Sequence, residues 1–599
     1  MSLQPIEPSL DAPPHRSFET LTSGRVMSRA LAKVVQGDAR LALARAFGVR
    51  LVTAWWEATI AGQGGREPLR PFLAPFETAE LPDTAAVLAS EIGSTAARFD
   101  PETAAYQIGL AYTGMLPPER RSEHGVFYTP PALTARLIDN AAAAGTDWTT
   151  ARVLDPACGG GAFLTPAAQK MMNALADCDP AIVLGNLGSR LRGYEIDPFG
   201  AWLSQVSLDV LTLPIAREVG RPLPVVVRVC DSLLQVEPRT KFDLVIGNPP
   251  YGRVKLDPEL RERYKRGLFG HANLYGLFTD VALRHAEVGG IIAYVTPTSF
   301  LAGEYFKNLR GLLSQLAPPI AIDFVSTRRG VFDDVLQETL LATYRRGGAI
   351  DSIAAAEITP NERGPLTVNP VGNIDLPDDR SSPWLLARDR LQAPLVNRLA
   401  HMPDRLADWG YTVSTGPLVW NRFKDQMAHR PGRNRKPLIW AESVTSGGEF
   451  VFRAEKRNHT PYFEVRERDD WLLVREPCVL LQRTTAKEQP RRLIAACLPK
   501  SFIVRHGGAV IVENHLNMLK PLDGPTKVSP AVLAAFLNSE AADRAFRCVS
   551  GSVAVSAYEL KALPLPSADD LDELTALVQF GAERHEIEAA CAAFYDRTD

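Results

Sequence analysis

The segment FDLVIGNPPYG at residues 242–252 combines an apolar run with four residues that could act on an amino group. The apolar run predicts a buried strand, and Pro249 and Pro250 end it because proline lacks an N–H group and restricts φ. An amino group on a conjugated ring is a poor nucleophile because its lone pair is delocalised. The side-chain oxygen of Asn248 and the carbonyl of Pro249 would accept its two hydrogens and direct the lone pair outward. Tyr251 supplies a flat face that would hold the ring by stacking.

Three earlier segments place acidic residues at predicted strand ends. In VLDPACGGGAFL, Asp155 is followed by Gly159 and two further glycines, which allow a tight turn close to a ligand. In RGYEIDP, Glu195 is placed to accept hydrogen bonds from two ribose hydroxyls. In VVVRVCDS, Asp231 could accept one from the amino group of an adenine, with Ser232 beside it. Glu195 and Asp231 could also be simple helix caps, but the three strand ends together predict a nucleoside-binding crevice.

The elements that position these residues alternate between short β-branched runs and helical patterns. This alternation predicts a parallel sheet with helices on both faces, in which ligands bind beyond the carboxyl ends of the strands. The predicted strands are Val153–Asp155, Leu191–Asp197, Val225–Asp231, Phe242–Pro250, Ile291–Pro297 and Ala321–Val325.

The composition is that of a globular protein. Of the 599 residues, 46% are hydrophobic, and 66 Lys+Arg against 69 Asp+Glu give a net charge of −3. These values exclude a disordered or collagen-like chain. We find no apolar run near the ~18 residues of a membrane span and no secretion signal, and the seven cysteines form no C-x-x-C pair. We therefore expect a cytoplasmic protein without a membrane partner.

The regions outside the predicted sheet differ in composition. Residues 1–120 are rich in Ala and Leu at helical spacing and predict a helical extension. Residues 351–410 predict a connector, and residues 411–599 show strand-like segments with two basic clusters. The first cluster contains Arg422, Lys424, Arg430, Arg433, Arg435 and Lys436, and the second contains Arg483, Lys487, Arg491, Arg492, Lys500 and Arg505. Such clusters are either solvated faces or phosphate-contacting surfaces, and interleaved aromatic residues favour the second interpretation.

The order of these motifs over residues 121–566 resembles the gamma-class, TaqI-type N6-adenine DNA methyltransferases, which use S-adenosylmethionine and occur in restriction–modification systems. GVFYTPPALTARLI (residues 125–138) resembles the first motif of that family, DPACGGG, YEIDP and CDS resemble its cofactor motifs, and NPPY resembles its catalytic motif. VFDDVLQETL (residues 331–340) is similar to a later motif whose Phe packs on the target base. The C-terminal third also resembles the DNA-recognition region of that family, although less closely than NPPY resembles its catalytic motif.

The resemblance implies a class I Rossmann-like α/β domain at residues 121–350, carrying a mixed α+β DNA-recognition domain at residues 411–599. It implies methyl transfer to N6 of an adenine flipped out of duplex DNA, with no metal, and leaves open whether a separate restriction endonuclease exists. The implied catalytic residues are Asn248, Pro249, Pro250 and Tyr251, with Tyr251 and Phe332 stacking on the base. The implied cofactor residues are Tyr128, Thr129, Pro130, Asp155, Ala157, Gly159, Glu195, Asp231 and Ser232. The implied DNA-contacting residues are Arg422, Lys424, Arg433, Arg435, Lys436, Arg483, Arg491 and Arg492.

Several alternatives share the NPPY chemistry and stay open at this point. They are methylation of N4 of cytosine in DNA, of RNA, or of a glutamine side chain in a protein. A catalytically silent DNA-binding specificity subunit is a further alternative, which the intact residues 248–251 disfavour.

Overall fold

The computed structural model describes residues 15–62, 69, 74, 76, 78–117, 128–326, 338–349, 352–361, 364–484, 491–549 and 554–596. The chain divides into two compact units. The first unit comprises Met1–Pro297 and Gly311–Asn369, and the second comprises Thr298–Arg310 and Pro370–Asp599.

The first unit contains a large sheet and most of the long helices. Its helices are α1 (His15–Lys33), α2 (Gly37–Gly62), α3 (Asp83–Ala96), α4 (Pro101–Met115), α5 (Pro131–Ala143), α6 (Leu164–Ala174), α7 (Pro180–Arg190), α8 (Pro198–Val219), α9 (Pro258–Arg263) and α10 (Leu274–His285). Its strands are β1 (Val153–Asp155), β2 (Leu191–Glu195), β3 (Val227–Val229), β4 (Phe242–Gly247), β5 (Arg253–Val254), β6 (Ala272–Asn273), β7 (Ala286–Pro297), β8 (Pro319–Val325), β9 (Thr339–Arg345), β10 (Ile353–Asn361) and β11 (Gly364–Ile374). The last of these strands runs into the second unit.

The nine-stranded sheet has the order β11-β10-β8-β9-β7-β4-β1-β2-β3. Strands β3, β2, β1, β4 and β7 are parallel neighbours, as predicted, and β10 is parallel to β8. Strand β9 is antiparallel to both β7 and β8, so the sheet is mixed and the prediction of a parallel sheet is wrong in this part. All six predicted strands are present, β1 with the predicted bounds and the other five with at least one end shifted, whereas β9, β10 and β11 were not predicted. The direction of β9 depends on where its connections lead, which its apolar sequence does not encode.

Helix α8 lies between two cores. Its Ala201 and Leu208 belong to the core that α5, α6 and α7 form with the sheet. Its Trp202, Leu203 and Val206 belong to the core of α2, α3 and α4. The helix is long and apolar enough by composition to cross a membrane, but 83% of its apolar stretch is buried inside the protein. Burial on all sides explains why it is hydrophobic around its whole circumference.

The predicted helical extension is helical in its described part, because α1 to α4 occupy it. These helices share one apolar core with α8, so they pack on the sheet domain as part of the first unit. Residues 353–361 and 364–374, which the sequence pattern assigned to a connector, instead form β10 and β11 of the large sheet. Polar residues and prolines interrupt the apolar pattern of both strands, which hides them from a search for apolar runs.

The second unit combines small sheets with short helices. Its helices are α11 (Ser299–Ala302), α12 (Lys307–Leu316, which continues into the first unit), α13 (Ala393–His401), α14 (Lys500–Arg505), α15 (Pro530–Leu537), α16 (Glu540–Val549), α17 (Ala557–Lys561), α18 (Asp572–Phe580) and α19 (Arg584–Asp596). Its strands are β12 (Tyr411–Thr415), β13 (Met427–Ala428), β14 (Arg435–Ile439), β15 (Tyr462–Glu464), β16 (Leu473–Val474), β17 (Cys478–Gln482), β18 (Ala495–Leu498), β19 (Val510–Val512) and β20 (Leu516–Pro521). They form a four-stranded sheet, β12-β20-β17-β18, and a five-stranded sheet, β13-β15-β14-β19-β16. One apolar core joins the two sheets, with Ile439 and Val512 on one side and Leu480 and Met518 on the other.

Candidate cofactor and catalytic site

A cavity opens at the carboxyl ends of the neighbouring strands β4, β1, β2 and β3. The sequence predicts the site at these strand ends. The volume of the cavity is about 270 Å³, near the lower end of the roughly 300–1,000 Å³ that is typical of small-molecule sites. The predicted residues on its wall are Tyr128, Thr129, Ala157, Gly159, Glu195, Asp231, Ser232, Asn248 and Pro250. The predicted residues outside the wall are Pro130, Asp155, Pro249 and Tyr251.

Gly159 and Glu195 form one connected part of this wall. Gly159 has a φ of +49°, a left-handed value that favours glycine, and its N–H donates to Oε2 of Glu195 at 2.8 Å. Oε1 of Glu195 accepts the N–H of Asp197 at 2.9 Å. Each carboxylate oxygen therefore keeps a lone pair for a hydroxyl donor. Burial raises the pKa of Glu195 to about 7 although both N–H donors lower it, so this carboxyl group titrates near neutral pH.

Asp155 lies behind the wall. Its side chain is fully buried, and Oδ1 accepts the N–H of Ala157 at 3.0 Å. Oδ2 has no hydrogen-bond partner among the described residues, and burial raises the pKa of Asp155 to about 8. A Cβ atom at Gly247 would approach Oδ1 of Asp155 to 2.7 Å, so β4 passes directly against this carboxyl group. Asp155 therefore does not line the cavity, and its side chain supports the loop that carries Ala157 and Gly159.

Asp231 and Ser232 lie at the end of β3. Oδ1 of Asp231 accepts the N–H of Leu233 at 2.9 Å and caps a short 3₁₀ turn, which is the alternative role considered for this residue. Asp231 also lines the cavity, so capping by one oxygen leaves the other available to a ligand. The buried hydroxyl of Ser232 donates to the carbonyl of Pro156 at 2.5 Å and ties this turn to the glycine loop.

The apolar part of the wall was not predicted from the sequence. It consists of Val254, Leu256, Leu260, Leu274 and Phe278, contributed by β5, the loop that follows it, α9 and α10. A patch of this kind suits the faces of a flat heteroaromatic ring. The alternation of Val254 and Leu256 with polar residues is the one local signal, whereas Leu274 and Phe278 reach the wall only through the packing of α10.

Asn248 is held from two sides. Its Nδ2 donates to Oγ1 of Thr129 at 3.0 Å, and its Oδ1 accepts the hydroxyl of Tyr251 at 2.7 Å. The ring of Tyr251 meets that of Tyr275 edge-on, with centroids 6.1 Å apart, and burial raises the pKa of Tyr251 above its usual range. These contacts fix the plane of the Asn248 amide. They leave one lone pair of Oδ1 for a further donor.

The first predicted motif, at residues 125–138, contributes to the same cavity. Tyr128 is buried, and a Cβ atom at Gly160 would approach its ring to 2.5 Å, so the ring lies directly on the glycine loop. Thr129 lines the cavity, and Pro130 immediately precedes α5. Residues 125–127 of this motif and Phe332 of the later motif lie outside the described residues.

The predicted DNA-contacting residues fall into two groups in the second unit. Arg422, Lys424 and Arg433 are exposed, and Lys424 lies 5.8 Å from the centre of the Trp420 ring. The side chains of Arg422 and Arg433 form no hydrogen bond or ion pair with any described residue. These three cations are therefore available to an anionic partner.

The other five are engaged within the fold. Arg435 pairs with Glu464 at 3.0 Å, and Lys436 donates to the carbonyl of Gly507 at 2.8 Å. Arg483 donates to the carbonyl of Asn514 at 3.3 Å and Arg491 to that of Asn538 at 2.6 Å. Arg492 is only 3% exposed, so its assignment to a DNA-contacting surface is wrong. Arg492 follows β17 in the chain, and its backbone N–H donates to Oδ1 of Asp543 on α16 at 2.5 Å. A count of the charges in the local sequence does not reveal this burial.

The fold and the site together define a methyltransferase-like protein, with a mixed sheet that carries its cavity at the carboxyl ends of the strands. The solved structure of the Type IIL restriction-modification enzyme MmeI in complex with DNA has a similar fold, with a TM-score of 0.53 and 12% identity over 98% of this chain and 96% of that one. The profile of the Eco57I restriction-modification methylase family matches residues 228–332, which include Asn248 to Tyr251.

Two curated relatives match a longer part of the chain. The Type II methyltransferase M.PstI of Providencia stuartii is 26% identical over 57% of this chain and 68% of its own length. The Type II methyltransferase M.BsuBI of Bacillus subtilis is 27% identical over 57% of this chain and 69% of its own length. The resemblance to methyltransferases of restriction–modification systems is therefore confirmed.

Proposed function

We propose that this protein is the DNA methyltransferase of a restriction–modification system, transferring a methyl group from S-adenosylmethionine to N6 of an adenine flipped out of duplex DNA. The observation that carries the proposal is the single cavity that Asn248 and Pro250 share with Gly159, Glu195 and Asp231. The amide of Asn248, which could bind an aromatic amine, thus lines the same cavity as residues that could bind a nucleoside cofactor.

The lining residues fit S-adenosylmethionine, which when bound supplies a methyl group on a positively charged sulfur. Glu195 would accept the ribose hydroxyls with the lone pairs that Gly159 and Asp197 leave free. Asp231 would accept the adenine amino group, and the apolar patch around Phe278 would cover the ring faces. Thr129 would lie at the methionine end, beside Asn248.

Asn248 would orient the target amine. Its Oδ1 accepts from Tyr251 and has one lone pair left, which would accept an N–H of the amine. The carbonyl of Pro249 would accept the other N–H, and the ring of Tyr251 would stack on the base. These two hydrogen bonds would orient the amino group so that its nitrogen lone pair faces the methyl group, and one N–H proton would leave to solvent after the transfer. The catalytic work is therefore mainly one of positioning. Flipping costs a few kcal/mol, because the base must leave its stack before its amino group becomes accessible.

The second unit would supply DNA recognition. Arg422, Lys424 and Arg433 are exposed cations that could contact phosphates. We expect the protein to act in the cytoplasm, on the DNA, and a partner endonuclease would be a separate chain.

The test is to incubate the purified protein with labelled S-adenosylmethionine and, in separate reactions, unmethylated duplex DNA, RNA or protein. The labelled DNA is then digested and its nucleosides are separated. We expect label in N6-methyl-2′-deoxyadenosine. Asn248→Ala should retain cofactor binding and lose about 100-fold or more in kcat, as when a group aimed at the reacting atoms is removed. Label in N4-methylcytosine would refute the adenine assignment, and label in protein or RNA only would refute the proposed substrate.

A further inference from the structure

Two of the N-terminal helices, α2 and α4, contact the cofactor side of the cavity at Asp197. The hydroxyl of Tyr112, on α4, donates to Oδ2 of Asp197 at 3.0 Å. The guanidinium of Arg45, on α2, lies 3.6 Å from Oδ1 of the same carboxylate. Asp197 itself lines the cavity, and its backbone N–H holds Oε1 of Glu195. Two side chains from much earlier in the chain thus converge on the residue that holds Glu195.

The same two helices also pack on Phe199, two residues after Asp197. The ring of Tyr112 stacks on that of Phe199, with centroids 3.9 Å apart. A Cβ atom at Gly48, on α2, would approach the Phe199 ring to 2.5 Å, so the two helices enclose this ring closely. Phe199 lies in the first turn of α8, whose N-cap is Asp197. The start of α8 is therefore fixed by packing as well as by hydrogen bonds.

A second contact reaches the glycine loop. A Cβ atom at Gly109, on α4, would come within 2.2 Å of the Tyr128 ring, and one at Gly160 would come within 2.5 Å of it. Tyr128 is thus packed between α4 and the loop that carries Gly159. Glycine at these two positions permits the close approach.

We infer that α2 and α4 are working parts of the cofactor site, in which Arg45 and Tyr112 are positioning residues that hold Asp197 and, through it, Glu195. This inference rests on the proposed function, because it assigns the site to S-adenosylmethionine. Arg45 also compensates the charge of Asp197, which otherwise disfavours ionisation of the neighbouring Glu195. A loosened Asp197 would release one of the two N–H groups that orient the Glu195 carboxylate.

The test measures cofactor affinity by calorimetry and steady-state kinetics on the full chain. Tyr112→Phe removes only the hydroxyl and keeps the ring on Phe199, and Arg45→Met removes only the charge. We expect Tyr112→Phe to raise Kd and KM for S-adenosylmethionine about tenfold, because it removes a hydrogen bond to a charged group, with kcat unchanged at saturation. Arg45→Met should raise them by up to roughly fivefold, because it removes a partly exposed ion pair. Arg45→Lys should bind the cofactor more tightly than Arg45→Met, because lysine keeps the positive charge although its shorter side chain does not fully reach the carboxylate of Asp197.

Matched controls lie on the same two helices. Arg50→Met removes an arginine of α2 that contacts Ser90 and Glu57, and Thr113→Val removes a hydroxyl of α4 that donates to the carbonyl of Gly109. Both should bind the cofactor as the unchanged protein does. Thermal melting without ligand checks that each variant is folded. If Tyr112→Phe melts below the assay temperature, Arg45→Met carries the test, since Arg45 is partly exposed.

A double-mutant cycle with Asp197→Ala tests whether the effect passes through Asp197. In that background Tyr112→Phe should cause no further loss, and full additivity would overturn the inference. Tyr112 and Arg45 variants that bind like the two controls would overturn it as well. Failure of the unchanged protein to bind S-adenosylmethionine would instead refute the proposed function on which the inference rests.

Discussion

Ionisation of Glu195 and binding of S-adenosylmethionine should be coupled. The carboxylate already accepts two backbone N–H groups, so the ribose hydroxyls need its remaining lone pairs. A protonated carboxyl group would carry a donor where an acceptor is required. Because burial raises the pKa of Glu195 to about 7, the ligand-free protein carries this proton over much of the range below neutrality. Binding must then release it.

The magnitude follows from the pKa. Below pH 7 the fraction of ionised Glu195 falls tenfold per pH unit, so affinity at pH 5 should be about 100-fold lower than the limit reached above pH 7, or ~2.7 kcal/mol. Glu195→Gln should flatten this dependence, because its side chain does not titrate. At pH 8 the variant should bind about 1–3 kcal/mol more weakly, since one backbone N–H then faces a donor. At pH 5 the two proteins should differ much less.

The assay is calorimetric titration with S-adenosylmethionine between pH 5 and 8, repeated in buffers of different ionisation enthalpy to count protons released. Asp155 and Asp197 are the nearest other carboxylates, and Asp155→Asn measures the contribution of the first. The amino group of the ligand titrates above pH 7 and affects all variants equally. Equal slopes in the unchanged protein and Glu195→Gln would refute the coupling. Unchanged affinity at pH 8 would show that Glu195 only caps the turn.

Four further outcomes follow from the structure. Without ligand, stability should fall as pH rises from about 4.5 to 7, because the unfolded chain releases the Glu195 proton first; thermal melting should show a loss of up to roughly 3 kcal/mol that Glu195→Gln reduces. Tyr251→Phe should lower kcat several-fold at unchanged cofactor affinity, because it frees Asn248 from one side while keeping the ring. Gly247→Ala should cost about 1–3 kcal/mol, measured by melting, because its Cβ would lie 2.7 Å from Oδ1 of Asp155. Replacing three exposed cations by Ala should lower the slope of log K for DNA against log salt by about 0.9 for each phosphate that they neutralise; they are Arg422, Lys424 and Arg433.

Each of these outcomes has its own control. The same pH dependence of the melting midpoint in the unchanged protein and in Glu195→Gln would contradict the raised pKa of Glu195. Equal kcat in Tyr251→Phe would mean that the ring alone orients Asn248. Gly185→Ala, where a Cβ meets no atom within 4 Å, is the matched control for Gly247→Ala. For the DNA experiment, Arg435→Ala is the control, since this side chain is already paired with Glu464. An unchanged salt slope in the triple variant would show that this surface is only solvated.

The sequence by itself predicted six strands of the large sheet and nine residues of the cavity wall. Gly159, Glu195, Asp231 and Asn248 each follow a short apolar run, and the carboxyl ends of parallel strands meet at one edge of a sheet. Their proximity is therefore a consequence of local pattern and one topological rule. The NPPY turn could be predicted from four consecutive residues alone, because its two prolines end the strand and its asparagine supplies the acceptor group.

The tertiary structure decided everything that depends on contacts between distant segments. It reversed β9, placed Asp155 behind the wall and buried Arg492, and none of these outcomes is encoded in neighbouring residues. It also brought Arg45 and Tyr112 onto Asp197, although their own segments read only as apolar helices. A local pattern reports which residue types are present and how they alternate. Burial, strand direction and the partner of a charge depend on which surfaces finally pack together, and that is settled only when the whole chain has folded.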